Sequence, residues 1–280
     1  MRVKVVAWNM HQDASNWPRL LNWKAVSGAA AYLLCEARAN PPEDIVKTLH
    51  PQMYGSTKET KCKCLPEGDR PMCRNRHYST AIASSGGVEP PIFGPETRVG
   101  TWIGGTVQLG AIPVTAFALY GLYEDALDSP FDTYWESTKA AVDEVIAVLA
   151  REECGDHVLI GGDFNILAGS ARIGLGDGDV LQSLKDLGYV ECLEAGLSCE
   201  GHVDTRTEAD LLACDCQRGV RCTHSRTFYS PGSPLTPYQD DYLFASKALA
   251  RLLKDCWVPS VGPGSYSDHG PIVATFEVPE

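Results

Sequence analysis

The chain has 280 residues, with 24 Lys+Arg against 36 Asp+Glu for a net charge of −12, and 44% of it is hydrophobic. Acidity of that size excludes a protein that coats nucleic acid through its overall charge, so a polyanionic partner must be met by a local basic patch or through bound cations. A charged fraction of 21% excludes a disordered chain, and no apolar run reaches the roughly 18 residues that a membrane span needs.

Val3 to Trp8 predicts an opening strand. An amphipathic stretch around Leu20 to Ala31 leads to a second strand over Tyr32–Cys35. Further strands are predicted at Ser79–Ala83, Gly105–Leu109 and Val114–Leu119. The longest helix is predicted between Phe131 and Arg151, where Trp135, Val142, Val145, Ile146 and Leu149 share one face at a 3.6 period. A strand at His157–Ile160 follows, then a helix near Gly178–Leu187 that Gly188 stops, and a strand at Tyr189–Leu193. Asp241–Phe244 and Pro271–Phe276 complete the strands, with a helix predicted over Lys247–Lys254 between them. Many strands, several wholly apolar, mixed with helices imply an α/β (α+β) class in which stacked sheets are covered by helices. No repeat or low-complexity linker marks a boundary, so a single domain over 1–280 is expected. Residues 55–77 and 195–226 lack periodicity and are rich in Gly, Cys and charge, and they read as insertions.

Four short sites stand at predicted strand ends, where α/β folds place their working residues. They are Trp8-Asn9-Met10-His11, Glu36, Gly161-Gly162-Asp163-Phe164-Asn165, and Ser267-Asp268-His269-Gly270. Alone, each has an ordinary reading as a turn former, a solvated carboxylate or a surface pair. Together they supply hard oxygen ligands, a base and an imidazole, which is the equipment of metal-assisted phosphoryl transfer.

This ordered set resembles the endonuclease/exonuclease/phosphatase superfamily, which includes deoxyribonuclease I, exonuclease III-type repair nucleases and inositol polyphosphate 5-phosphatases. Gly162-Asp163-Phe164-Asn165 and Ser267-Asp268-His269 carry the resemblance most strongly, and Asp240-Asp241-Tyr242-Leu243-Phe244 and Leu119-Tyr120-Gly121 match further positions. The resemblance implies a four-layer sandwich of two packed mixed β-sheets flanked by helices. It also implies a hydrolase of phosphate esters that depends on Mg²⁺ or Mn²⁺. Glu36, Asn9 and Asp268 would hold the cation, Asp163 would activate the attacking water, and Asn165 would hold the phosphate beside it. His269, oriented by Asp241, would stabilise the transition state with help from Tyr120. Repair nucleases usually carry Asp two residues after the first Asn; here that position is His11, read as a substrate contact or a structural hydrogen bond. A phosphodiesterase acting on nucleic acid as a monomer is the leading expectation. The alternatives are a phosphomonoesterase on a small or inositol-type phosphate and a catalytically silent binding protein of the same fold.

The 11 cysteines are odd in number, and the opening residues lack the apolar segment of a secretory signal, so a cytoplasmic protein whose clustered thiols bind metal is expected. Cys62, Cys64, Cys73 and His77 form one cluster, and Cys214, Cys216, Cys222 and His224 repeat the same order. Each would complete a tetrahedral site for structural Zn²⁺, with disulfides or unliganded thiols as the alternatives. Cys35, Cys192 and Cys256 sit in or beside apolar runs and read as core. Between residues 58 and 76, six basic and three acidic residues give a local net of +3, and residues 214–226, with three arginines and one Asp, give +2. In an acidic chain these islands, with Arg70, Arg74 and Arg76 foremost, suggest clamps for a polyanionic substrate.

Overall fold

A computed structural model of the chain describes residues 1–38, 40–55, 79–95, 100–121, 134–151, 154–166, 177–204, 206–208, 211, 214, 218, 221–229, 239–259 and 267–280. The strands are β1 (Arg2–Asn9), β2 (Ala31–Cys35), β3 (Gln52–Gly55), β4 (Ser79–Ala83), β5 (Glu89–Phe93) and β6 (Trp102–Leu109). They continue with β7 (Ile112–Tyr120), β8 (Val158–Asp163), β9 (Val190–Glu191), β10 (Asp241–Ala245), β11 (Leu253–Trp257) and β12 (Ile272–Glu277). The helices are α1 (Arg19–Asn22), α2 (Glu43–Leu49), α3 (Tyr134–Leu149), α4 (Asp177–Asp186), α5 (Cys192–Gly196) and α6 (Lys247–Ala250).

The strands form two six-stranded sheets, in the orders β11-β12-β1-β2-β4-β3 and β5-β6-β7-β8-β10-β9. Both are mixed, since β1 runs parallel to β2 and β7 to β8 while their other neighbours are antiparallel. Strand periodicity dictates the layering. In β1, Val3, Val5 and Ala7 turn to one face and meet Ala116, Ala118, Leu159 and Leu243 of the second sheet; Val6 and Trp8 turn to the other and meet Leu20, Ile45 and Leu49 beneath α1 and α2. In β7, Phe117 and Leu119 face outward to Ala141, Val142 and Val145 of α3. The result is helices, sheet, sheet, helices, the four-layer sandwich that the resemblance implied.

Gly161 packs against Leu243 of its own sheet and Leu33 and Ala7 of the other. A Cβ there would stand 2.7 Å from Leu243 Cδ1 and 3.1 Å from Leu33 Cδ1, so a larger residue would have to displace packed side chains at the sheet interface.

Three predicted elements are corrected. The helix expected over Lys247–Lys254 stops at Ala250, and Leu253–Trp257 is an edge strand paired to β12. Leu249, Leu252 and Leu253 fit a helical period, but Leu253 and Cys256 are buried against the sheet, so tertiary pairing overrides the local pattern. The strand expected at Tyr189–Leu193 shortens to Val190–Glu191, because both carboxylate oxygens of Glu191 accept the N–H groups of Leu193 and Glu194 and start α5. The amphipathic stretch from Leu20 to Ala31 contributes only the single turn of α1. The insertion expected from residue 195 likewise begins inside α5, whose Gly196 packs on Cys256.

Candidate active site

The sheet ladders bring the chemical residues together before any loop is considered. Tyr120, Asp163 and Asp241 are register neighbours across β7, β8 and β10, and Asn9 is paired with Cys35 at the ends of β1 and β2, so Glu36 is the next residue out. His269 precedes β12, the antiparallel neighbour of β1. Six strands therefore deliver their ends to one edge of the sandwich.

Asp163 is buried and has three donors. Asn165 N–H donates to its Oδ1 at 2.9 Å, and Asn9 Nδ2 and Asn165 Nδ2 donate to its Oδ2 at 2.8 and 3.1 Å. Burial nevertheless pushes its pKa up to about 7; the positive field of His269 opposes the shift and the negative charge of Asp241 adds to it. Its backbone position is forced from both sides. Gly162 has φ +140°, and a Cβ there would run into the Leu119 carbonyl, so the strand reaches Asp163 only through glycine. The Asp163 N–H donates to Cys35 Sγ at 3.3 Å, while the Cys35 thiol donates to Leu119 O at 2.9 Å.

His269 is buried opposite. Its Nδ1 donates to Asp241 Oδ2 at 2.8 Å, and its Nε2 stands 4.0 Å from both Asp163 Oδ2 and Asp268 Oδ1. Burial alone would lower its pKa, but Asp241 and Asp163 outweigh it and hold the imidazole protonated well above the usual histidine range. Four neighbours hold His269 and its Asp241 partner in place. Trp8 Nε1 donates to the His269 carbonyl at 3.0 Å, Ser267 Oγ accepts the His269 N–H at 3.1 Å, Phe228 lies against the imidazole at 4.8 Å between centroids, and Thr227 Oγ1 accepts the N–H groups of Asp240 and Asp241.

Glu36 lies half-buried at the rim, in the left-handed region at φ 45°. Its Oε1 accepts the Tyr120 hydroxyl at 2.6 Å and faces Asn9 Nδ2 at 3.5 Å. Asn9 Oδ1 accepts the His11 N–H at 2.9 Å, so its amide is oriented from both ends. His11 is exposed, and its Nδ1 pairs with Asp268 Oδ1 at 2.9 Å. That hydrogen bond raises the His11 pKa; burial opposes ionisation of Asp268, yet the two histidines hold its carboxyl below the usual range.

The donor set fits a hard divalent cation. Among the described residues, the half-buried Glu36 carboxylate is engaged through Oε1, and Asp268 and the Asn9 amide oxygen are further oxygen donors. Asp163, Asp241 and His269 also bring ligand atoms within 4.8 Å of one another. Within this trio, His269 Nδ1 and Asp241 Oδ2 are joined by the 2.8 Å hydrogen bond.

Of the Cys/His clusters, Cys214, Cys222 and His224 converge, with Cys214 Sγ 3.4 Å from His224 Nδ1. Cys62, Cys64, Cys73, His77, Cys216, Arg70, Arg74 and Arg76 lie outside the described residues. Cys192 and Cys256 are buried in the core between the sheets. Cys35 is buried as well, at the site itself.

No family model and no curated protein matches the chain. Solved structures do. A 3′-phosphatase from Neisseria bound to a product DNA hairpin superposes with a TM-score of 0.66 at 18% identity, over 99% of this chain and 100% of that one. An AP endonuclease from Archaeoglobus fulgidus gives 0.64 at 17% identity, over 99% and 100%. An AP endonuclease from Leishmania major gives 0.60 at 12%, over 99% and 88%. The fold is the endonuclease/exonuclease/phosphatase fold. Within it, the residues that sequence reasoning passed over are those that act on their neighbours' positions. Cys35 reads as a small core residue, and nothing in its type announces a hydrogen bond to Asp163. Trp8 and Ser267 belong to the quoted motifs, yet only the packing shows that both hold the His269 backbone.

Proposed function

We propose that the protein is a phosphodiesterase acting on nucleic acid, dependent on Mg²⁺ or Mn²⁺, that hydrolyses its substrate by in-line attack of an activated water. One observation carries the reading: a buried carboxylate titrating near 7 faces a buried imidazole held protonated, with 4.0 Å between them. That gap is too long for a hydrogen bond and suits an interposed oxygen.

Asp163 takes a proton from the attacking water, its ionised form steadied by the amides of Asn9 and Asn165. Asn165 Nδ2 is held by Gly121 O at 2.8 Å, which keeps the amide beside the reacting phosphate. His269 donates from Nε2 to a phosphoryl oxygen as charge grows there, while Asp241 keeps Nδ1–H engaged and the ring upright. Glu36 and Asp268, with the Asn9 oxygen, would hold the cation, and the Tyr120 hydroxyl fixes the Glu36 carboxylate. When bound, the cation supplies neutralising charge at the phosphate oxygens. His11, exposed beside Asp268, is positioned to meet substrate at the rim.

The nucleic-acid substrate is supported by the structural neighbours, among them the 3′-phosphatase bound to DNA product and the AP endonucleases. The 3′-phosphatase also favours a second reading, in which the bond cleaved is a phosphomonoester at a DNA 3′ end. One panel separates them: single- and double-stranded DNA, abasic duplex, 3′-phosphorylated DNA, RNA and inositol phosphates, each with Mg²⁺ or Mn²⁺ and with Asp163→Asn as the blank. Internal or abasic-site cleavage supports the first reading, release of 3′-phosphate alone supports the second, and turnover in the blank overturns both.

A further inference from the structure

The second cluster of ligating side chains lies outside the site just described, in the segment that runs into it. Cys214 and Cys222 are buried, His224 is partly so, and one ligand atom from each lies within 4.8 Å of the others. The separation of Cys214 Sγ from His224 Nδ1 is 3.4 Å. Zinc bond lengths of about 2.3 Å to sulfur and about 2.0–2.1 Å to nitrogen, set at a tetrahedral angle, require about 3.6 Å between those two atoms. N–H donors surround the cluster. The His224 N–H points at Cys222 Sγ at 3.4 Å, and Arg206 donates to the carbonyls of Cys222 and His224 at 2.7 and 3.3 Å while it is anchored on Asp204.

We propose that Cys214, Cys222 and His224 hold a structural Zn²⁺ that clips the following strap, Ser225 to Tyr229, onto the catalytic edge. The three residues leave one tetrahedral position for a further donor. The strap has little apolar burial of its own, and its order comes from polar attachments at both ends. Ser225 N–H donates to Gln239 Oε1 at 2.9 Å, and Thr227 Oγ1 receives the N–H groups of Asp240 and Asp241. Gly270 N–H donates to Thr227 O, Phe228 bridges to His269, and Tyr229 N–H donates to Asp268 O at 2.7 Å. A metal at the head of this strap closes the loop from residue 214 and presents Thr227 and Phe228 to the Asp241–His269 pair. Metal binding of this kind supplies the order that a short polar segment cannot draw from a core.

The site is independent of the phosphodiesterase reading and is tested without activity. Full-length protein is purified under reducing conditions and its zinc measured by mass spectrometry. Wild type should carry at least one equivalent. Cys222→Ser and His224→Ala should each lose one, whereas the double variant Cys62→Ser/Cys73→Ser should keep the equivalent assigned here. Wild-type protein reconstituted with Co²⁺ should show thiolate-to-cobalt charge-transfer absorption in the near ultraviolet, which needs no variant to fold. Zinc below a tenth of an equivalent, a cobalt form without that absorption, a Cys214–Cys222 disulfide in the native protein, or full zinc retention in well-folded Cys222→Ser would overturn the proposal.

Discussion

The strand-end site and the Cys214–His224 cluster hold their reactive groups by opposite means. At the edge, four groups are end residues of strands whose register is set by the core: Asn9 of β1, Tyr120 of β7, Asp163 of β8 and Asp241 of β10. The cluster draws its three groups from positions within eleven residues of sequence, with Arg206 bonded to the carbonyls of two of them. The first geometry is inherited from hydrophobic packing; the second has to be made by its own ligand. Substitutions at the edge should therefore strike turnover while sparing stability, whereas substitutions in the cluster should cost stability first and reach turnover only through the strap.

The largest effect tests the first half of that statement. Asp163→Asn or His269→Ala should lower kcat/KM at least about 100-fold, with a thermal midpoint no lower than wild type by more than about 3 °C. Steady-state kinetics beside a melting curve decides it, and a variant retaining a tenth of its activity would break the comparison. Asp241→Asn should cost about 10- to 100-fold and leave a signature in the pH profile. Wild-type activity should rise as pH passes through about 7, because Asp163 must lose its proton to act as base, and fall when His269 loses its proton at higher pH. Without the Asp241 charge the imidazolium gives up its proton sooner, so the alkaline limb should move to lower pH.

A smaller effect is expected at the rim. Tyr120→Phe removes the 2.6 Å hydrogen bond to Glu36 and should raise the Mg²⁺ concentration for half-maximal activity about tenfold, as loss of a group that orients a metal ligand does. A metal titration at saturating substrate reads this directly; unchanged Mg²⁺ dependence would remove Glu36 from the cation site. The smallest effect belongs to the basic insertion. Replacing Arg70, Arg74 and Arg76 with Ala should raise KM a few-fold and reduce the slope of log KM against log salt by at most about 2–3. Kinetics that do not respond to salt would dismiss the clamp.

Much of the edge was legible in sequence because its residues abut apolar strands, and strand periodicity survives in a list of letters. Asn9, Glu36, Asp163 and His269 are each the polar residue where an apolar run begins or ends. Trp8 and Ser267 belonged to quoted motifs, but their effect runs through hydrogen bonds spanning some 260 positions, Trp8 to His269 and Ser267 to Asn9, which no local pattern encodes. β11 was unreadable for a related reason, since Leu253–Trp257 becomes a strand only because β12 offers it an edge. The Cys/His order was visible from spacing, but which ligands meet, and that their segment leads straight to His269, required the fold.

Glu36 sits at φ 45°, and Asn165 at φ 51°, in a backbone region that costs a non-glycine residue about 1–2 kcal/mol. Glycine would relax either position. A laboratory library of this protein selected for heat resistance alone should therefore accumulate glycine at position 36 first, because Glu tolerates that conformation worse than Asn. Such survivors would be sturdier and silent. With Glu36 holding the cation as proposed, selection for activity and selection for endurance would pull in opposite directions at this residue.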